Sequence, residues 1–297
     1  MKAARFYDRG DIRIEDIPEP VVAPGTVGVQ VAWCGICGTD LHEFMEGPIF
    51  IPPCGHPHPI SGESAPITMG HEFSGVVYAV GAGVDDIQVG QHVVVEPYIV
   101  ADDVPTGAGD HYHLSKDMNF IGLGGHGGGL SEKIAVKRRW VHPISDAIPL
   151  DHAALIEPLA VGHHAFVRSG ANTGDVALVG GAGPIGLLLG AILKAKGLTV
   201  IMTELSAKRK EKALEAGVAD YVLDPSQVDV LAEVMKITAD KGADVSFECS
   251  SVNAVLDTLV AATKPTGVVV IVSIWSHPAT VNVHSVVMKE LDVRGTI

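Results

Sequence analysis

Hydrophobic residues arrive along this chain in two different rhythms. Up to about residue 145 they form short β-branched runs between turn residues, at 28–33 (GVQVAW), 74–80 (SGVVYAV), 91–96 (QHVVVE) and 132–136 (EKIAV), and each run predicts a strand. Loops rich in Gly and Pro separate them, notably 47–66 and 102–129. The glycine run 122–129 invites a phosphate-loop reading, but the SEKIAVK that follows alternates like a strand and offers no helix N-terminus to an anion. It reads as a tight loop entering a strand.

Near Asp146 the rhythm changes. Residues 151–167 carry apolar positions at helical spacing, and strands then alternate with helices. The strands fall at 175–180, 198–204, 221–223, 243–248, 267–273 and 291–297, the helices at 184–195, 207–216, 228–238 and 252–262. That alternation predicts an α/β unit, a doubly wound parallel sheet, at 151–297, behind a β-rich domain at 1–150. The stretch Val176 to Leu193 runs eighteen residues without a charge. Six of them are Gly or Pro, so a strand, a tight turn and a buried helix explain it better than a membrane span.

A net charge of -14 argues against nucleic acid and against an anionic membrane surface. The start, MKAARFYDRGDIRIEDIPEP, has no apolar segment of secretory type. Four cysteines (Cys34, Cys37, Cys54 and Cys249) in so long a chain are no disulfide framework, and a reducing cytoplasm is the expectation.

Two sites carry candidate chemistry. Gly181-Ala182-Gly183-Pro184-Ile185-Gly186 fits G-x-G-x-x-G between a predicted strand and a predicted helix. Such glycines permit a tight turn and close backbone approach to a pyrophosphate seated on the helix N-terminus. Glu204, eighteen residues after Gly186, can accept both ribose hydroxyls and would repel a 2′-phosphate, so NAD is expected rather than NADP. The basic pair Lys208 and Arg209 pulls the other way.

The second site is a metal site. Cys34-Gly35-Ile36-Cys37 is a C-x-x-C, but it ends a strand in a β-rich domain, and a zinc knuckle would need a second pair. Cys37 with His71 of Gly70-His71-Glu72 and Glu157 of Glu157-Pro158-Leu159 would leave a fourth tetrahedral position open, as catalytic zinc requires. Fourteen histidines supply decoys. Cys54, His56 and His58 read as loop surface; His163 and His164 follow Glu157 at i+6 and i+7, and His164, on its helix face, reads as a packed neighbour.

These segments resemble the medium-chain zinc alcohol and polyol dehydrogenases. The matching residues are Cys37-Gly38-Thr39-Asp40-Leu41-His42, Gly70-His71-Glu72, Gly90-Gln91-His92-Val93, residues 156–162 (IEPLAVG) and GGAGPIG, in the family's order. The resemblance implies a GroES-like catalytic domain followed by a Rossmann domain, and hydride transfer between NAD and a small secondary alcohol. The loop 47–52 (GPIFIP) and Val95-Glu96-Pro97 look most like the branch acting on 2,3-butanediol and acetoin, with sorbitol- and threonine-type enzymes as alternatives. Cys37, His71 and Glu157 fall on the zinc ligands. Glu72 falls on the acid beside the metal, a supporting group or an alternate ligand. Asp40 falls on the carboxylate that orients the ligand histidine, and Thr39 and His42 on the proton relay. A homodimer or homotetramer is implied.

Two departures stand out. Members often hold a structural zinc with four cysteines after the turn near Glu96, whereas residues 97–140 contain none, so only the catalytic zinc is expected. The C-terminal segment that returns to the catalytic domain is also missing, which would leave apolar surface bare around Val29 and Val76. A zinc-free reductase or a non-catalytic NAD-binding relative would keep the fold and lose the Cys37, His71, Glu157 set.

Overall fold

The computed structural model describes every residue except 108. By its contacts the chain divides into two units, Met1–Glu157 and Pro158–Ile297.

The first unit is built from antiparallel strands. β1 (Lys2–Asp8) lies between β2 (Asp11–Asp16) and β4 (Ile67–Thr68). β3 (Thr26–Gly35), β5 (Glu72–Val80), β6 (His92–Val95), β9 (Lys133–Lys137) and β10 (Val141–Pro143) form a second sheet in the order β10-β6-β5-β3-β9. β7 (Tyr98–Ile99) pairs with β8 (Asn119–Phe120). Period-two alternation puts Val27, Val29, Phe73, Val77, Val93 and Val95 in one core.

β1 and β2 escape hydrophobic patterning because ion pairs line them, Lys2 with Asp16 and Arg13 with Asp11. Val29 is fully buried against β9 and Val76 half-buried. The exposed apolar side chains lie further on, at Trp33 and Ile36. The register of β3 on β5 slips twice, between Gly28 and Val29 and between Val31 and Trp33. Such irregularities re-aim side chains, and here they set Gly35 opposite Glu72.

In the second unit strands and helices alternate: β11 (Val176–Gly180), α4 (Pro184–Ala195), β12 (Thr199–Thr203), α5 (Ala207–Glu215), β13 (Tyr221–Leu223) and α6 (Val230–Ile237). β14 (Ala243–Glu248), α7 (Asn253–Ala262), β15 (Thr263–Ile271), α8 (Val283–Lys289) and β16 (Asp292–Gly295) follow. Six parallel strands lie in the order β13-β12-β11-β14-β15-β16. The order reverses between β11 and β14, where open α/β sheets bind their ligands. Val179 and Val200 pack beneath Leu189 and Leu193 of α4, while Leu178 and Ile201 face Val234 of α6 and Leu259 of α7. Helices therefore cover both faces. α8 carried no strong periodic signal; Asn282 caps it by accepting the Ser285 N–H at 3.1 Å.

The helix expected at 151–167 is two helices, α2 (Leu150–Ala153) and α3 (Ile156–Ser169). Pro158 has no N–H for the Ala154 carbonyl, so the ladder breaks there. The uncharged stretch 176–193 is β11, a turn and most of α4, and among the described residues no helix is long and apolar enough to cross a membrane.

Candidate metal and dinucleotide sites

Three pieces of the first unit converge on one point. β3 delivers Cys34 and Gly35, the chain turns, and α1 (Gly38–Glu46) begins. α1 follows from a capping box rather than from periodicity: Asp40 accepts the Cys37 N–H at 2.9 Å, and the Cys37 side chain closes the reciprocal contact. The turn before β5 supplies His71, and β5 opens with Glu72. Among the described residues, Cys37, His71 and Glu72 form the one group of three whose donor atoms all lie within 4.8 Å of one another. Glu157 enters from the start of α3. α2, just ahead of it, is tied to β5 by the Ser74 hydroxyl, which donates to the Leu150 carbonyl at 2.5 Å. Glu157 stands outside the 4.8 Å group but close enough for its carboxyl to feel Glu72 and Asp40.

The acids of this pocket are all pushed toward their neutral forms. Burial, then Glu72 and Asp40, push Glu157 up to about 8. Burial and Glu72 push the Cys37 thiol up to about 12, and burial and Asp40 do the same to Cys34. Asp40 and Glu72 are raised by burial as well, with His71 as their opposing charge. Asp40 Oδ1 lies 3.6 Å from His71 Nδ1, and neither atom has a hydrogen-bond partner. The carboxylate thus stands on the Nδ1 side of the ring and leaves Nε2 for a ligand, the arrangement that orients metal-bound histidine. A thiolate, an imidazole and a carboxylate are also donors that zinc accepts. The residues fit that ion.

Thr39 and His42 lie three apart on α1 and share a face. Thr39 Oγ1 is 3.7 Å from Cys37 Sγ, and both residues are half-buried. Cys54 and His56 are exposed, as expected. His58 is not loop surface: it is 8% exposed, and its Nδ1 accepts the N–H groups of Ile60 at 3.3 Å and Ser61 at 3.4 Å. His163 is exposed and tilts against Phe166, while His164 is half-buried. Where the sequence lacks the cysteine lobe, aromatic rings pack instead. Tyr98 meets Tyr112 at 5.4 Å and Phe120 at 5.4 Å, and Tyr112 meets Trp140 at 5.7 Å.

In the second unit the glycine loop joins β11 to α4 beside the reversal of strand order. Gly181 has φ +106, which L side chains rarely adopt, and a Cβ there would press on the Cys249 carbonyl. Gly183 is the N-cap of α4, with open space where a Cβ would be, and Pro184 takes the first helical position. Ile185 and Gly186 continue the first turn, so backbone amides and open space coincide, a cradle suited to a pyrophosphate. Glu204 is 9% exposed and accepts N–H groups from Ala182 at 3.0 Å, Leu205 at 2.9 Å and Ser206 at 2.9 Å. Arg209 lies 3.7 Å from the same carboxylate. Glu204 therefore holds the glycine loop and the entry of α5 together, a role its spacing did not announce.

Known proteins share this architecture. The alcohol dehydrogenase GroES-like domain matches residues 23–146 and the zinc-binding dehydrogenase domain residues 184–297. An (R,R)-butanediol dehydrogenase of Neisseria gonorrhoeae is 84% identical over all of this chain and 84% of its own length. The chain belongs to the zinc-binding alcohol dehydrogenase family. Its Bacillus subtilis relative of the same name is 47% identical over all of this chain and 84% of its own length. The crystal structure of 2R,3R-butanediol dehydrogenase from Bacillus subtilis superposes with a TM-score of 0.92 at 46% identity, covering all of this chain and 84% of that one. A zinc-binding dehydrogenase from Sinorhizobium meliloti, 30% identical with a TM-score of 0.86 over all of this chain and 84% of that one, was solved bound to NADP. This dehydrogenase is an oxidoreductase that uses zinc and a nicotinamide cofactor.

Sequence reasoning missed Glu43 of α1. It is fully buried and accepts the N–H groups of Ile49 at 2.9 Å, Phe50 at 2.5 Å and Ile51 at 3.3 Å. A glutamate ahead of a Gly-Pro turn was the only signal available.

Proposed function

We propose that this dehydrogenase interconverts 2,3-butanediol and acetoin with NAD, and that one zinc per chain serves the reaction. The Cys37, His71, Glu72 cluster carries the reading: a thiol, an imidazole and a carboxylate whose donor atoms lie within 4.8 Å of one another. The names of the relatives at 84% and 47% identity support the diol.

Cys37, His71 and one of the carboxylates Glu72 and Glu157 would hold zinc, which when bound supplies Lewis-acid polarisation of the substrate hydroxyl. Asp40 holds the His71 ring. Thr39 receives the hydroxyl proton, and His42, on the same face of α1, exchanges it with solvent. Gly181, Gly183, Pro184, Ile185 and Gly186 seat the pyrophosphate. Glu204 faces the adenosine ribose and disfavours a 2′-phosphate, with Arg209 beside it. The reading extends to assembly as a homodimer or homotetramer: β16 is a sheet edge, and Val287 and Met288 of α8, next to it in the chain, are largely exposed.

The test measures NADH formation with each 2,3-butanediol stereoisomer, sorbitol and threonine, together with the metal content. Turnover of a butanediol above the other two, with one zinc per chain, is expected. Preference for sorbitol or threonine, or full turnover without metal, would overturn the reading.

A further inference from the structure

Glu43 is a carboxylate with 0% exposure whose hydrogen bonds go to none of Cys37, His71 and Glu72. Its three partners are consecutive backbone amides, those of Ile49, Phe50 and Ile51. Burying a carboxylate is costly unless hydrogen bonds compensate, and here all of the compensation comes from one loop. The same loop is gripped from the other side, where Asn119 donates to the Phe50 carbonyl at 2.9 Å. Ile51 is locked into the core with Phe6 and Ile67, whereas Ile49 is 48% exposed. The Phe50 ring meets Phe120 edge-on at 6.1 Å, and Phe120 lies 6.3 Å from His71.

We infer that Glu43 is a positioning residue for the metal pocket: it holds the loop 47–52 so that Phe50 backs Phe120, and Phe120 backs the His71 ring. The wall beside the substrate's reacting carbon is then set by a carboxylate one helical turn beyond Thr39, through backbone amides alone. Burial and, less, the Asp40 carboxylate raise Glu43 above the ordinary carboxylate range, opposed by the three amides. That balance is why an amide side chain, with only one acceptor oxygen, is no substitute. The consequence for substrate choice rests on the diol reading above.

The experiment is Glu43→Gln in the zinc-loaded enzyme, with Asn119→Ala as a second variant that loosens the same loop without touching the carboxylate. In Glu43→Gln, hydrogen exchange at the amides of Ile49, Phe50 and Ile51 should quicken by about tenfold or more, as losing one bond to a charged acceptor implies. Zinc content and KM for NAD should hold. KM for butanediol should rise, with a smaller change in kcat, and discrimination between butanediol and bulkier vicinal diols should shrink in both variants. Unchanged exchange at the three amides in folded Glu43→Gln overturns the anchor. Faster exchange with unaltered diol kinetics overturns the positioning role. Should Glu43→Gln fail to fold, unaltered diol discrimination in Asn119→Ala overturns it equally. Wild-type protein inactive on every vicinal diol would sink the substrate reading alone, since amide exchange still decides the anchor.

Discussion

Replacing Glu204 by Gln isolates the charge that is proposed to favour NAD. The carboxylate accepts from Ala182 on one oxygen and from Leu205 and Ser206 on the other. Gln keeps one oxygen for the latter two and turns its NH2 toward the Ala182 N–H, where donor meets donor. One charge-assisted bond is lost, about 1.5–3 kcal/mol of stability. In a chain of this size that lowers the melting temperature by roughly 2–5 °C. The cofactor effect is separate. A carboxylate roughly 5 Å from a phosphate of about two charges, at an effective dielectric of about 40, is repelled by about 3 kcal/mol. Without that repulsion, and with Arg209 freed from its partner 3.7 Å away, the NADP to NAD ratio of kcat/KM should climb by about 100-fold. Steady-state kinetics with both cofactors and a thermal melt give the two numbers independently. A ratio unmoved within a few-fold, in a protein showing the expected melt shift, would refute the electrostatic reasoning.

Cys37→Ser should abolish zinc binding and turnover while NAD still binds, because the glycine loop belongs to the other unit; calorimetric titration with NAD alongside metal analysis checks both. Zinc affinity should fall by more than about 100-fold in Glu72→Gln and by less in Glu157→Gln, since outer partners are worth about 10–100-fold; the reverse order would move Glu157 into the coordination sphere. Lys210 and Ser226 hold the Asp224 carboxyl down to about 2. A depressed carboxyl stabilises above its unfolded pKa of about 4 and loses that contribution as pH falls through the folded value. Melts of Asp224→Asn should therefore lie below wild type at pH 7 and converge with it as pH drops from about 4 toward 2.

The strand–glycine–helix arrangement at 176–195 was legible because its parts are contiguous, so local spacing carries the geometry. The metal site was legible only in part. Cys37 and His71 could be named from their motifs, but the pairing of Gly35 with Glu72 depends on two register slips in β3, and nothing in the local sequence counts those. Glu72 could therefore be named only as a supporting group or an alternate ligand, although its donor atom lies with the other two. Glu43 is hidden for a related reason. On a nine-residue helix it reads as a solvated acid, and only the return of residues 47–52 over it makes it an interior group. β1 and β2 vanish from hydrophobic patterning because ion pairs, within and across the strands, decorate them. His58 shows the same limit: a Pro-rich loop looks exposed until it folds back on its own amides.

The aromatic stack of residues 97–140 has a consequence for how this enzyme meets oxidants and chelators. Lobes of this kind that hang on four thiolates and an ion come apart when either is removed. Here Tyr98, Tyr112, Phe120 and Trp140 hold the segment by ring packing, and the Tyr112 hydroxyl donates to Glu96, which also meets His142 at 3.0 Å. No cysteine lies in that stretch, so peroxide finds no thiol there, although the Met118 thioether remains oxidisable. Stripping the catalytic metal should therefore leave this part of the surface intact, an apoprotein that regains activity when zinc alone is returned.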